Sequence, residues 1–117
     1  KPLRAVYGNI DDQSIRNDYK IDCKFSVEQI KVWITHIGGY PGNYKKRILD
    51  GLKEYKPDLF ICGHSHILKI IHDREHNFLH INPGAIGKHG FHQKRTMIRF
   101  NIDKGDINNL EVIEFNR

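Results

Sequence analysis

Apolar residues fall along the chain in short, bounded runs, and the spacing inside each run predicts its element. Val32-Trp33-Ile34-Thr35 and Leu59-Phe60-Ile61-Cys62 are continuous and rich in β-branched or aromatic residues. Runs of that length suit buried strands and are too short for helices. Between them Ile48, Leu49, Leu52 and Tyr55 recur at i, i+1, i+4, i+7, the stripe of an amphipathic helix. Asn43 is its predicted cap, and Lys56-Pro57-Asp58 its stop near Tyr55. Strand, helix, strand at this spacing is a βαβ unit, so the two strands are expected to be parallel. Residues 24–29 read as a strand joined to 30–35 by a tight turn. Residues 68–72 and 78–81 predict a hairpin across a polar turn. Residues 96–102 and 110–115 alternate apolar and polar, and predict an antiparallel hairpin turning at 103–106. Ala5-Val6-Tyr7 reads as a short strand, and residues 13–22 as polar and irregular.

The ends of these strands carry the chemistry. Leu59-Phe60-Ile61-Cys62 runs into Gly63-His64-Ser65-His66. Gly63 is expected to let the backbone leave the strand. In an extended or turning backbone His64 and His66 can point the same way, because side chains repeat with period 2. Two imidazoles at a buried strand's carboxyl end suit a divalent transition metal; the alternative is a pair of exposed loop histidines. The strand before repeats the pattern, ending at His36 ahead of Gly38-Gly39. After Tyr7, Gly8-Asn9-Ile10-Asp11-Asp12 alternates Asn9 and Asp11, which can face one centre or form an ordinary turn. In open α/β sheets ligands bind beyond the carboxyl ends of parallel strands, so Asn9, His36, His64 and His66 together point to a metal site.

Composition narrows the setting. The 117 residues fit one domain, residues 1–117, and 38% hydrophobic content in ordered runs reads as globular. No apolar stretch approaches the roughly 18 residues of a membrane span, and no signal peptide is visible. Cys23 and Cys62 stand far apart and outside any CxxC pattern, which favours a reducing cytoplasm. Net charge is +5, densest over residues 88–95 with Lys88, His89, His92 and Arg95. That patch follows Asn82-Pro83-Gly84, a turn whose small residues let an anion approach the main chain. It suits a phosphate-bearing substrate or, alternatively, a plain solvated face. His72, His76 and His80 read as surface or interstrand residues and not ligands.

The order GNxD, TH-x-G, GHSH, NPG resembles the calcineurin-like metallophosphoesterase superfamily, with its small-phosphodiesterase branch the nearest match, over residues 5–87. The resemblance implies an α/β sandwich of mixed sheets flanked by helices. It implies a metal-dependent phosphoesterase, acting on phosphodiesters through two metals and a bridging hydroxide. Asn9, His36 and His64 would hold one metal and His66 the other. Asn9, Asp11 and His36 are the expected catalytic positions. Lys88, His89, His92 and Arg95 are the expected substrate contacts. Imidazole and amide ligands suit Mn²⁺, Fe²⁺, Ni²⁺ or Zn²⁺ better than Ca²⁺, and of these, two Mn²⁺ ions are the first expectation. Expected partners are a small phosphate ester and, where an edge is left open, a second copy of the chain. Nucleic acid and membrane are not expected.

Two departures from the family pattern stand out. Ile10 occupies the place where many relatives carry a proton-donating histidine. The family's D-x-H and GD motifs, which supply the second metal's remaining ligands, do not precede GNxD, and Gly105-Asp106 lies too late, in a hairpin turn, to substitute; the sequence therefore looks like the carboxyl-terminal two-thirds of a domain, and a longer natural protein is expected. The alternative function is a phosphoesterase-like scaffold that binds partner proteins, as the retromer's subunit of this family does.

Overall fold

The computed structural model describes residues 3–117. Residues 30–35, 59–61 and 78–83 form the centre of a five-stranded sheet. In chain order its strands are β1 (Asp22–Val27), β2 (Ile30–Thr35), β3 (Leu59–Ile61), β4 (Leu68–Asp73) and β5 (Phe78–Pro83). Their spatial order is β1-β2-β3-β5-β4. The two central pairings, β2 with β3 and β3 with β5, are parallel, as the βαβ reading requires. The flanking hairpins are antiparallel.

Register explains the two cores. Trp33 lies beside Phe60 and Phe60 beside His80, while Val32 lies beside Leu59 and Leu59 beside Leu79. Period-2 alternation sends the first set to one face and the second to the other. Trp33, Phe60, Cys62 and Phe78 pack with Ile48 and Leu52 of helix α2 (Lys46–Tyr55). Val32, Leu59 and Ile81 pack against Ile98, Phe100, Ile102, Ile107 and Leu110. Those five come from β6 (Lys94–Asp103) and β7 (Asp106–Asn116), a separate antiparallel hairpin. The fold is therefore a mixed-sheet α/β sandwich with a helix on one face and a hairpin on the other. Gly51 of α2 seats against the Trp33 indole: a Cβ there would fall 2.3 Å from Cη2.

Three expectations are corrected. Residues 13–22 are not irregular: they begin with a short helix, α1 (Gln13–Asp18), whose first turn is capped by the Asp12 carboxylate accepting from the Ile15 N–H. A helix was not legible there because α1 buries no residue and so has no apolar stripe. Asn43 does not cap α2. Lys45 holds the N-cap position without a side-chain bond, and the helix ends at Lys56, which is left-handed at φ 52°. Residues 5–7 form only an isolated parallel bridge between Val6 and Lys20.

Candidate metal centre

The centre assembles where β2 and β3 end. β2 stops at Thr35, and His36 follows; the His36 carbonyl accepts from the Gly63 N–H at 2.8 Å, tying the two strand exits together. Asn9 reaches this point from the loop after the Val6 bridge. Its Oδ1 lies 2.9 Å from His36 Nε2 and 3.3 Å from His64 Nδ1. The two imidazoles are edge to face, with ring centroids 5.2 Å apart. Thus three of the four residues expected as ligands come together, both imidazoles on the Asn9 amide oxygen. Burial, and then the neighbouring His64, hold the His36 pKa below its ordinary value, which keeps that ring neutral and able to ligate. Asp11 opposes this weakly as a nearby negative charge. Its carboxylate also accepts from the Gly8 N–H at 2.6 Å.

Gly63 is not the residue that takes the special backbone geometry. His64 and His66 do, at φ 71° and 63°. Left-handed non-glycine residues are strained, so something must hold them. Asn82 supplies much of that. This buried side chain donates from Nδ2 to the Gly63 carbonyl at 3.1 Å and to Ser65 Oγ at 3.0 Å. Its Oδ1 accepts from the Gly84 N–H at 3.0 Å. Sequence reasoning registered the Asn-Pro-Gly turn but missed this brace. The signal available was an amide side chain placed at the end of a buried strand, opposite the histidine loop. Arg16 plays the same part for the Asn9 loop. It donates to the carbonyls of Asn9 at 3.0 Å and Asp11 at 2.9 Å while its guanidinium lies over the Tyr7 ring.

His66 lies beside His92, with ring centroids 5.3 Å apart. Lys88 and His89 are exposed. Arg95 donates to the carbonyls of Ile86 and Asn116 and lies over Phe115, so its guanidinium already has partners. His72 is exposed. His80 is fully buried, with Nδ1 3.1 Å from the Tyr44 hydroxyl, and burial lowers its pKa to about 4.

Two clefts flank the imidazoles. One, of about 580 Å³, opens beside His64 and is lined by Tyr40, Lys45, Ile67 and Lys69. The other, of about 390 Å³, opens beside Asn9 and His36 and is lined by Arg16, Lys45 and Arg47. Lys45 borders both, a cationic position the sequence reading left unremarked.

Among the described residues, no three His, Cys, Asp or Glu side chains converge to close a metal site by themselves. The cluster at hand uses an amide oxygen as its third donor. Two imidazoles and one amide oxygen at these separations fit a borderline divalent transition metal.

An α/β sandwich whose parallel strands β2 and β3 end at two imidazoles, met there by an amide from a neighbouring loop, has the architecture of the metallophosphoesterase class. The chain belongs to the calcineurin-like phosphoesterase superfamily, whose domain model matches residues 1–105. Solved structures agree on the fold. A Thermotoga maritima protein, TM1076, superposes with a TM-score of 0.67 at 20% identity, covering 96% of this chain and 65% of that one. Vps29 from Entamoeba histolytica, complexed with Zn²⁺, gives 0.66 at 16% identity, covering 97% and 69%. A protein described as a novel archaeal phosphodiesterase gives 0.63 at 20% identity, covering 94% and 67%. The chain thus spans about two thirds of these structures' lengths. No curated protein matches it in sequence. No helix among the described residues is long and apolar enough to cross a membrane.

Proposed function

We propose that the protein carrying this chain is a metal-dependent phosphoesterase that hydrolyses small phosphodiesters. One observation carries this reading: Asn9 Oδ1 lies within hydrogen-bonding distance of both His36 and His64, at the strand ends of a phosphoesterase-family fold. Asn9, His36 and His64 would hold one cation and His66 a second, with Mn²⁺ the first choice. Once bound, such a pair supplies Lewis acidity to phosphoryl oxygens and lowers the pKa of water.

The chain's own groups do the rest. Arg16 and Asn82 fix the two ligand loops, so that Asn9, His36 and His64 meet without reorganising when a cation arrives. Asp11 holds the Asn9 turn through the Gly8 amide, and in this reading Asn9, Asp11 and His36 form the catalytic group. Lys88 and His89 are free to meet a phosphate from the exposed side, and Arg95 anchors their loop while lending its charge. Ile10 has no ionisable group, so protonation of the leaving oxygen does not come from that position. This favours esters with acidic leaving groups. Both cysteines are free thiols, which supports a reducing, cytoplasmic setting.

The test is turnover of bis-p-nitrophenyl phosphate by the whole natural protein, loaded with Mn²⁺ and compared with its His36→Ala variant. Metal-dependent hydrolysis abolished by the substitution supports the reading, and equal turnover by both defeats it. A second reading, a partner-binding scaffold, is favoured by the likeness to Vps29 structures. Metal-independent structure with no hydrolysis of any phosphodiester would favour it instead.

A further inference from the structure

We propose that His92 ligates the cation held by His66, through Nδ1; this rests on the reading above, in which His66 is a metal ligand. The loop 88–92 folds back so that His92 Nε2 lies 2.8 Å from the Gly87 carbonyl oxygen. A carbonyl only accepts, so Nε2 carries the ring proton. In the neutral ring, Nδ1 then carries the free lone pair. That Nδ1 is buried and has no hydrogen-bond partner among the described residues. Buried polar atoms are almost always paired, and one left bare calls for an explanation.

His66 supplies it. A Cβ built on Gly90 would fall 2.4 Å from His66 Nδ1 and 3.1 Å from His92 Nδ1, so both nitrogens border one small space. The rings stand edge to face at 85°. Any side chain at position 90 would fill the gap, and Gly90 also has φ 129°, a conformation few other residues accept. A histidine whose second ring nitrogen donates to a backbone carbonyl is held in the orientation and tautomer that metal ligation requires. Two imidazole nitrogens select Zn²⁺, Ni²⁺, Co²⁺ or Fe²⁺ over Mg²⁺ and Ca²⁺. The sequence placed His92 with the substrate contacts. Its open nitrogen faces His66 instead of solvent, and that is where the geometry points.

The test uses the whole natural protein, stripped of metal, with Co²⁺ as the probe. Binding is followed by visible absorption and by competition with a chromophoric chelator. His92→Ala and His92→Gln are compared with the parent and with His66→Ala. Glutamine can still donate to the Gly87 carbonyl but brings no imidazole, so a purely structural role would be rescued by it. The expectation is that both His92 variants weaken one of two Co²⁺ sites by roughly 10-fold or more and alter its spectrum. That site should be the one lost in His66→Ala, and added imidazole should restore the spectrum in His92→Ala. If His66→Ala loses a cation while both His92 variants titrate like the parent, this inference is overturned and the metal reading stands. If His66→Ala also titrates like the parent, the metal reading fails and takes this inference with it.

Discussion

Replacing Asn82 with alanine tests whether the histidine loop is held from beneath. The substitution deletes two donor contacts and one acceptor contact from a side chain that is 4% exposed. Ser65 N–H still serves the Gly63 carbonyl, but the Gly84 N–H loses its partner. At about 1 kcal/mol per ordinary hydrogen bond, with a larger penalty for a buried donor left bare, the loss is about 2–4 kcal/mol. That is a large share of the stability of a domain this size. A second effect lands on the metal. His64 and His66 sit in left-handed conformations that cost on the order of 1–3 kcal/mol each, and without the brace the loop relaxes away from them. Affinity for a divalent cation should fall about 10–100-fold, the usual effect of losing a group that orients ligands. Urea unfolding of the metal-free protein reads the first effect, and chelator competition reads the second. Unchanged metal affinity together with a stability loss below about 0.5 kcal/mol would show that the loop holds itself and that the brace is incidental.

Other expectations follow from single contacts. Gly51→Ala should destabilise by about 1–3 kcal/mol despite alanine's better helix propensity, because the new methyl meets a fully buried indole that cannot step aside; an unchanged or higher urea midpoint would refute this. His80 is held neutral by burial, with its pKa lowered from 6.5 to about 4. As pH falls from 6.5 towards 4 the unfolded chain takes up a proton that the folded chain refuses, so stability is full above 6.5 and declines below it by on the order of 3 kcal/mol. His80→Leu should flatten that part of the stability profile. Arg95→Ala should raise KM more than it lowers kcat if the basic loop holds substrate, and steady-state kinetics on bis-p-nitrophenyl phosphate separate the two. Glu111→Gln, which breaks an exposed pair with Arg99 at 2.8 Å, should cost under about 1 kcal/mol by thermal unfolding.

What could be read from the chain, and what could not, divides along physical lines. Buried strands announce themselves because both faces demand apolar residues, so β2 and β3, their parallel pairing and both later hairpins were legible. Helix α2 was legible from Ile48, Leu52 and Tyr55, which press on the sheet. Its start was not, because Asn43 has the chemistry of a cap but closes the turn from Tyr40 instead, and the N-cap position at Lys45 makes no side-chain bond. Helix α1 was missed because nothing in it is buried. At the centre, Asn9, His36 and His64 were legible as chemistry placed at strand ends. Their bracing was not: Asn82 and Arg16 act across 19 and 7 positions respectively, and no local pattern encodes a hydrogen bond over such a span. The same holds for the backbone of the histidine loop. A glycine beside two histidines suggests that the glycine bends, whereas the histidines do.

That last inversion bears on how the protein would respond to improvement. At positions 64 and 66 the backbone asks for glycine or asparagine, and the side chains present are there in spite of it. Substitution by glycine would relieve the strain and, if the space is otherwise unused, raise the melting temperature. A library sorted for thermal resistance alone would therefore enrich the variants that discard the imidazoles. At these two positions a gain in robustness is the signature of a lost purpose, and a screen that scores only survival would erase the centre while reporting success.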